Sequence, residues 1–144
     1  MKIFVPKESK SGERRVALVP DLITKLTKSG FAVSIEAGAG NYAGASDQQF
    51  SAAGAQIAPA SEISSADVIL SVQPLSAGQF ALLKRGAITI SFLSPANSPD
   101  LVTAAAAAGV TAFSLELVPR ISRAQSMDAL TSQALCAGYR AALV

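Results

Sequence analysis

The side chains best suited to chemistry are concentrated between residues 119 and 133. This segment, Pro-Arg-Ile-Ser-Arg-Ala-Gln-Ser-Met-Asp-Ala-Leu-Thr-Ser-Gln, combines fixed-charge donors, amides, hydroxyls and one carboxylate. Arg120 and Gln125 could hold a carboxamide, and Asp128 with a nearby hydroxyl could bond a ribose. Such a set suits a ligand made of a sugar and an amide. The alternative is ordinary helix capping by Ser126 or Asp128 beside exposed arginines, and the side-chain chemistry alone does not decide between the two.

A second charged cluster follows the first predicted strand, where ligands of open α/β sheets collect beyond the carboxyl ends of the strands. It contains Lys7, Glu8, Glu13, Arg14 and Arg15. Arg15 could bind a carboxylate. The alternative, which composition favours, is a solvated charged turn with weak surface ion pairs.

Gly38, Gly40 and Gly44 superficially resemble a dinucleotide-binding loop. That loop requires Gly-x-Gly-x-x-Gly opening directly into a helix. Here the spacing is one residue too long, and the next helix start is Ser46 followed by Asp47. The segment therefore predicts a tight turn.

Composition argues against several classes of function. The 144 residues contain no histidine and one cysteine, Cys136, which removes Ser-His and Cys-His catalysis, an internal disulfide and a credible transition-metal site. Small apolar neighbours predict a buried helical position for Cys136, and the presence of a single cysteine predicts a reducing compartment. Twelve basic and ten acidic residues give a net charge of +2 with no dense basic patch, which disfavours nucleic acid as a partner.

The sequence shows no membrane-spanning segment or export signal. The longest uncharged stretch, residues 68–83, contains proline and glutamines and is shorter than the ~20 residues of a spanning helix. The first residues enter a strand-like run directly, without the regions of a signal peptide, which predicts a cytosolic location.

Short β-rich runs alternate with helical stretches, which predicts an α/β fold: a flavodoxin-like, doubly wound parallel sheet with helices on both faces. The predicted strands are Lys2–Val5, Ala32–Glu36, Gln56–Ala58, Asp67–Val72, Ala87–Phe92 and Val110–Leu115. Helices are predicted to start at Pro20, at the Ser46 cap, and after a capping hydroxyl on Ser98, with Gly30 and Gly109 ending the first and last of these.

After the last strand, the sequence predicts a polar loop over Glu116–Gln125 and an alanine-rich helix from about Ser126. Residues 141–144 carry neither a glycine cap nor a proline. A long C-terminal helix is therefore expected to lead into a further part of the polypeptide or a partner.

A family resemblance is carried by five motifs. They occur in the same order as in the family and are spread over essentially the whole chain. Three of them are Pro6–Glu8, Arg15–Pro20 and Glu36–Gly40; the other two are Pro119–Leu130 and Ala137–Ala141. The first three are similar to motifs of the N-terminal domain family of alanine dehydrogenases and pyridine nucleotide transhydrogenases. The last two resemble the transhydrogenase branch, the α subunit of proton-translocating NAD(P)⁺ transhydrogenase.

The resemblance implies roles for individual residues. In that family the loop over residues 116–125 reaches toward the nicotinamide of NAD(H), which a following Rossmann domain holds. By the same resemblance, Arg120 contacts the carboxamide, Gln125 bridges toward the second nucleotide, and Asp128 contacts the nicotinamide ribose. Thr131 stands where the family usually has serine, and its hydroxyl is expected to bind the cofactor too. Hydride transfer between two nicotinamides needs little acid or base, which agrees with a chain without histidine.

The resemblance also implies how the chain is organised. Residues 1–125 would form the N-terminal α/β domain, and residues 126–144 would begin a linker helix toward a missing NAD-binding Rossmann domain. The assembled enzyme would pass hydride between NAD(H) and NADP(H), with NADP(H) on a partner subunit and proton translocation in a membrane partner. A homodimer, located in the cytoplasm at the inner face of the membrane, is implied, and the isolated chain is expected to be inactive.

Two other interpretations stay open. One is an alanine dehydrogenase-like amino-acid oxidoreductase; those enzymes use a lysine and a histidine where this chain has Gln73 and Ser94. Without an ammonium and an imidazole, a keto acid has no evident group to hold and protonate it, so a structural role suits Arg15 better. The other is a non-catalytic fragment or interaction module that folds alone or pairs with a separate Rossmann half.

Overall fold

A six-stranded, entirely parallel sheet forms the centre of the chain in the computed structural model, which describes residues 1–144. The strands are β1 (Lys2–Val5), β2 (Ala32–Glu36), β3 (Gln56–Ala58), β4 (Val68–Leu70), β5 (Ile88–Ser91) and β6 (Thr111–Ser114), in the spatial order β3-β2-β1-β4-β5-β6. Without β3, the order is that of flavodoxin, and β3 extends the sheet at the β2 edge. The predicted doubly wound α/β fold is confirmed.

Five α-helices and four short 3-10 segments accompany the strands, of which the last helix and the last two 3-10 segments follow β6. The α-helices are α1 (Pro20–Lys28), α2 (Asp47–Ala52), α3 (Ala77–Leu82), α4 (Pro99–Ala108) and α5 (Ala129–Ala142). The 3-10 segments are Asn41–Ala43, Ala60–Ser65, Leu115–Leu117 and Ser122–Met127. Every connection between neighbouring parallel strands is therefore a crossover that covers one face of the sheet.

The helix starts follow from local side-chain chemistry. Ser46 caps α2 reciprocally with Gln49, as predicted for that position, and Ser76 caps α3 in the same way with Gln79. The α3 helix is absent from the sequence-based predictions, although Ser-x-x-Gln is a visible signal. The prediction that the Ser98 hydroxyl caps α4 is wrong, because this side chain makes no cap hydrogen bond. The helix starts at Pro99, as predicted, and the proline ring fixes a helical φ there.

The glycine-containing segment after β2 forms the predicted tight turn. The Asp47 carboxylate accepts hydrogen bonds from the Gly38 amide at 3.0 and 3.1 Å, which ties the turn to the first residue of α2. Gly40 has no room for a side chain, because a Cβ would clash with the Ala45 carbonyl oxygen and the Phe50 ring. Gly40 therefore serves the packing of the turn, and Gly38 and Gly44 supply the positive φ that the turn requires.

Apolar side chains pack on both faces of the sheet, as alternation along β1 requires. Ile3 and Val5 point to one face and join a buried cluster with Ile23 of α1. Phe4 points to the other face and packs in a second cluster with Phe80 of α3. Each face thus has its own core, and both cores fix the direction of the strand ends.

The strand order reverses between β1 and β4, so the loops that follow these strands diverge to opposite faces. A crevice forms at the carboxyl ends of the strands at such a reversal. The loops after β1, β4, β5 and β6 meet on this side of the sheet.

The C-terminal segment differs from two predictions. The helix predicted from about Ser126 begins at Ala129, because residues Ser122–Met127 form a 3-10 segment first. Cys136 is exposed and not buried, since no residue of α5 is buried against the sheet. None of the helices is both long enough and apolar enough to cross a membrane.

Candidate functional site

The four residues predicted to bind a cofactor lie around one open cleft. Arg120, Gln125, Asp128 and Thr131, together with Ile121 and Ser122, line a cavity of 280 Å³. The 3-10 segment Ser122–Met127 brings them together by turning the chain between Arg120 and Asp128. Ala124 is buried beneath this turn and anchors it, while the polar side chains on either side face outward.

Asp128 is the best-defined group in the cleft. Its carboxylate accepts a hydrogen bond from the Thr131 amide at 2.9 Å and another from the Thr131 hydroxyl, so Asp128 also caps α5. The Thr131 hydroxyl and amide, with the positive charge of Arg120 nearby, hold the pKa of the Asp128 carboxyl below its usual value. The carboxylate stays ionised and keeps lone pairs free for further donors.

The capping interpretation of this segment is confirmed for Asp128, and the ligand interpretation stays a prediction. Asp128 is the helix cap, and Ser126 is not. Capping uses only part of the accepting capacity of a carboxylate, which leaves Asp128 able to accept a ligand hydroxyl as well. The helix cap and a ligand contact can share this side chain.

Arg120 and Gln125 line the same cleft, and their side chains are exposed. Neither side chain makes a hydrogen bond or ion pair within the chain. A guanidinium offers five donors, and a primary amide offers two donors and an acceptor. The cleft thus combines unpaired donors with an ionised acceptor.

Glu116 connects the base of this loop to the end of β5, which the sequence did not indicate. Its carboxylate accepts a hydrogen bond from the Ser94 amide, and Ser94 has a φ of +50°, rare for a residue with a side chain. Burial acts to raise the pKa of Glu116, but donors from its own amide, the Ser114 hydroxyl and the Ser94 and Leu93 amides lower it overall. Ser114 Oγ and Glu116 Oε2 are both buried and lack a hydrogen-bond partner of good geometry.

A second cavity, of 320 Å³, lies at the point where the strand order reverses. Its walls are mostly apolar, with Val72, Phe92 and Leu115 at the strand ends and Ala129 on α5. Arg15, Ser71 and Gln133 supply its polar groups. This cavity separates the sheet from the first turns of α5.

Arg15 is committed to partners within the chain. Its Nε and Nη2 donate to the two carboxylate oxygens of Glu13 at 2.7 and 2.6 Å, and its Nη1 donates to Gln133 Oε1 at 3.0 Å. The hydrogen bond from Arg15, which outweighs burial, lowers the pKa of Glu13 to about 2, with further help from Gln73. The carboxylate that Arg15 binds is thus Glu13.

Glu8, which the sequence places in the charged cluster after the first strand, is a half-buried acceptor. Its two carboxylate oxygens accept from the amides of Val72 and Gln73 at 2.6 and 3.1 Å. Burial raises the pKa of the Glu8 carboxyl despite these donors. Glu8 therefore satisfies two backbone amides at the end of β4 and fixes the loop after β1 to it.

The fold and these sites can be compared with known proteins. A family model described as alanine dehydrogenase/PNT, N-terminal domain, matches residues 4–137. The chain belongs to this family. The resemblance carried by the five motifs is confirmed.

Relatives in both branches of the family match nearly the whole chain. An NAD(P) transhydrogenase subunit alpha polypeptide of Rhodospirillum rubrum is 45% identical over 99% of this chain and 39% of its own length. The crystal structure of transhydrogenase from Sinorhizobium meliloti superposes with a TM-score of 0.96 at 43% identity, covering 99% of this chain and 43% of that one. The alanine dehydrogenase of Bacillus subtilis is 32% identical over 100% of this chain and 38% of its own length.

This chain spans 39% of the length of the Rhodospirillum relative.

At the two positions that distinguish alanine dehydrogenases by resemblance, Gln73 and Ser94 make contacts within this domain. Gln73 donates to Glu13 at 2.7 Å and accepts from Lys10 at 3.3 Å. The Ser94 amide donates to Glu116. Both positions serve contacts between loops of this domain.

Proposed function

We propose that this chain is the N-terminal part of a transhydrogenase α subunit and orients a nicotinamide for hydride transfer between NAD(H) and NADP(H). The observation that supports this most strongly is the cleft itself. Four residues of one short segment, Arg120, Gln125, Asp128 and Thr131, face a common space of 280 Å³. The name of the Rhodospirillum relative and the 45% identity point to the same activity.

The proposed roles follow from the donors and acceptors in the cleft. Arg120 donates to the carboxamide oxygen of the nicotinamide, and Asp128 accepts from a hydroxyl of its ribose. Thr131 holds the Asp128 carboxylate in place and supplies a hydroxyl to the same ribose. Gln125 reaches toward the second nucleotide with an amide that both donates and accepts. Orientation of two rings is the main contribution that a protein makes to such a transfer, since the cofactors supply the chemistry.

The rest of the enzyme is proposed to lie outside these residues. Residues 1–125 form the N-terminal domain, and residues 126–144 begin a linker helix toward a Rossmann domain that holds NAD(H). A partner subunit holds NADP(H), and a membrane partner couples the transfer to proton movement. In this arrangement the chain is cytoplasmic, at the inner face of the membrane, and part of a homodimer. Relatives that are named as alpha subunits support a multi-subunit assembly.

Hydride transfer by an α subunit that contains this domain tests the proposal. Arg120→Ala and Asp128→Asn are expected to slow single-turnover transfer by roughly 100-fold while leaving the unfolding midpoint almost unchanged, because misaligned rings raise the barrier without affecting the core. Arg123→Ala is the matched control, since Arg123 is exposed on the same 3-10 segment but does not line the cleft. Wild-type transfer rates in both cleft variants would refute the roles of these residues.

An alanine dehydrogenase-like activity is the second candidate, because the Bacillus relative is 32% identical over 100% of this chain and Arg15 lines the neighbouring cavity. Reduction of pyruvate with ammonia and NADH by a subunit containing this domain would favour it. The hydrogen bonds from Arg15 to Glu13 and Gln133 argue against it, since they occupy three of the five side-chain N–H donors that could bind a keto acid.

A further inference from the structure

The helix that carries one wall of the cleft is weakly attached to the sheet. No residue of α5 is buried, and the cavity of 320 Å³ lies between its first turns and the strand ends. Yet Asp128 caps this helix and Thr131 lies in its first turn. The position of these two groups in the cleft therefore depends on whatever fixes the orientation of α5.

A single side-chain hydrogen bond joins α5 to residues before its cap, from Arg15 Nη1 to Gln133 Oε1 at 3.0 Å. Gln133 lies on the same face as Ala129, and both line the cavity. Gln133 is roughly 7.5 Å along the helix axis from Asp128, at 1.5 Å per residue. A constraint at Gln133 thus acts through little more than one rigid turn on Asp128 and Thr131.

Arg15 is itself held in one orientation. Its Nε and Nη2 pair with both oxygens of Glu13, and this two-point contact sets the plane of the guanidinium. Glu13 is fixed in turn by the side chain of Gln73, three residues after β4, at 2.7 Å. The Glu13 side chain is only 6% exposed, so this anchor is shielded from water. A continuous series of side-chain hydrogen bonds therefore leads from the end of the sheet through Gln73, Glu13 and Arg15 to α5.

We infer that Arg15 is a positioning residue: held by Glu13, it fixes α5 through Gln133 and thereby orients Asp128 and Thr131 in the cleft. The ligand at the cleft rests on the proposed function, whereas the attachment of the helix does not. A packing contact would not require a donor and an acceptor at this place. An apolar side chain at position 133 would meet the apolar cavity wall equally well, which makes the inference testable by shape-matched substitution.

Cys136 provides a probe of this helix. It is the one cysteine of the chain, it is exposed on α5, and it lies three residues after Gln133, so a nitroxide label on it reports the motion of α5 by electron paramagnetic resonance. The variants are Gln133→Leu, which keeps bulk without an acceptor, and Gln133→Glu, which keeps an acceptor for the guanidinium. Ser132→Ala is the control, because the Ser132 hydroxyl bonds only to the Ala129 carbonyl oxygen.

The label on Gln133→Leu is expected to become more mobile, and amide exchange over residues 132–140 to rise roughly five-fold, as for the loss of one typical, solvent-exposed hydrogen bond. The label on Gln133→Glu and on the control should match that on the unsubstituted chain. Unchanged mobility and exchange in Gln133→Leu would show that packing alone holds the helix and would overturn the inference.

The outcome is separable from that of the proposed function. If α5 loosens in Gln133→Leu but Arg120→Ala and Asp128→Asn leave hydride transfer intact, the positioning of the helix stands and the proposed function fails. If α5 keeps its order while the cleft variants lose transfer, the proposed function stands and Arg15 has no part in positioning the cleft.

Discussion

The Asp128 carboxylate accepts two hydrogen bonds from Thr131, one from its backbone amide at 2.9 Å and one from its hydroxyl. Asp128 thus caps α5 and is also the ionised acceptor that lines the cleft. Because the same pair serves helix stability and the proposed ligand contact, substitutions at Thr131 separate the two roles.

Thr131→Val is expected to raise the pKa of Asp128 toward its ordinary value of about 3.9, since the hydroxyl contributes most to lowering it. Thr131→Ser keeps the hydroxyl and should leave the pKa lowered. Because the folded-state pKa is lowered, the carboxylate stabilises the fold above its unfolded pKa and loses this effect as pH falls through the folded value. Carbon-13 NMR titration of the Asp128 carboxyl measures the change, and identical titrations of the two variants would contradict the assignment.

Glu13→Gln is expected to destabilise the fold by about 1 kcal/mol at pH 6, a value reduced because the Arg15 partner is partly exposed. The pKa of Glu13 is lowered to about 2 in the fold, against about 4.3 when unfolded. The stabilisation is therefore complete above the unfolded value and declines as pH falls toward 2. Urea unfolding at several pH values should show the two proteins converging at low pH, and a difference independent of pH would argue against an ionic origin.

Gly40→Ala is expected to destabilise the fold by about 2 kcal/mol or more, because the new methyl would clash with the Ala45 carbonyl oxygen and the Phe50 ring. Gly78→Ala is the matched control. Gly78 lies inside α3 with open space around it, so alanine there should stabilise the helix by roughly 0.5–1 kcal/mol. Thermal unfolding that ranks the two substitutions in the opposite order would contradict the packing of the turn.

Ser76→Ala is expected to cost about 1 kcal/mol, since the hydroxyl accepts from the Gln79 amide at 3.2 Å in the cap of α3. Ser98→Ala should have almost no effect, because the Ser98 hydroxyl makes no cap hydrogen bond and Pro99 starts α4. Chemical denaturation of both variants provides the measurement. Equal losses would mean that Ser98 caps its helix after all.

Much of the fold was predictable because its signals are local. The bounds of β1, β2 and β3 agree with the prediction from apolar runs, whereas β4, β5 and β6 are shorter than predicted by one or two residues at their ends. A strand ends where its hydrogen bonds to the neighbouring strand end. The apolar run of one strand does not show where its neighbour ends, so the exact strand ends are not predictable from it. The capping pair of Ser76 and Gln79 is equally local, so α3 could have been predicted from the sequence although it was not.

The residues of the cleft were also predictable, since Arg120, Gln125, Asp128 and Thr131 lie within one short segment. Their chemistry and the resemblance both indicated them, and two turns of 3-10 helix bring them to one cavity. The exposure of Cys136 was not predictable. Small apolar neighbours are compatible with a buried or an exposed helix face, and which one occurs depends on what packs against it.

The sequence by itself determined the strand and helix types, the family and the side chains of the cleft, because each depends on residues close together in the chain. Only the tertiary structure decided which distant groups meet: Arg15 with Gln133, 118 residues later, Glu8 with the amides after β4, and Glu116 with Ser94. These contacts exist because the sheet order places β1 beside β4 and β5 beside β6. That order results from the cooperative burial of both faces of the sheet, which no local pattern specifies.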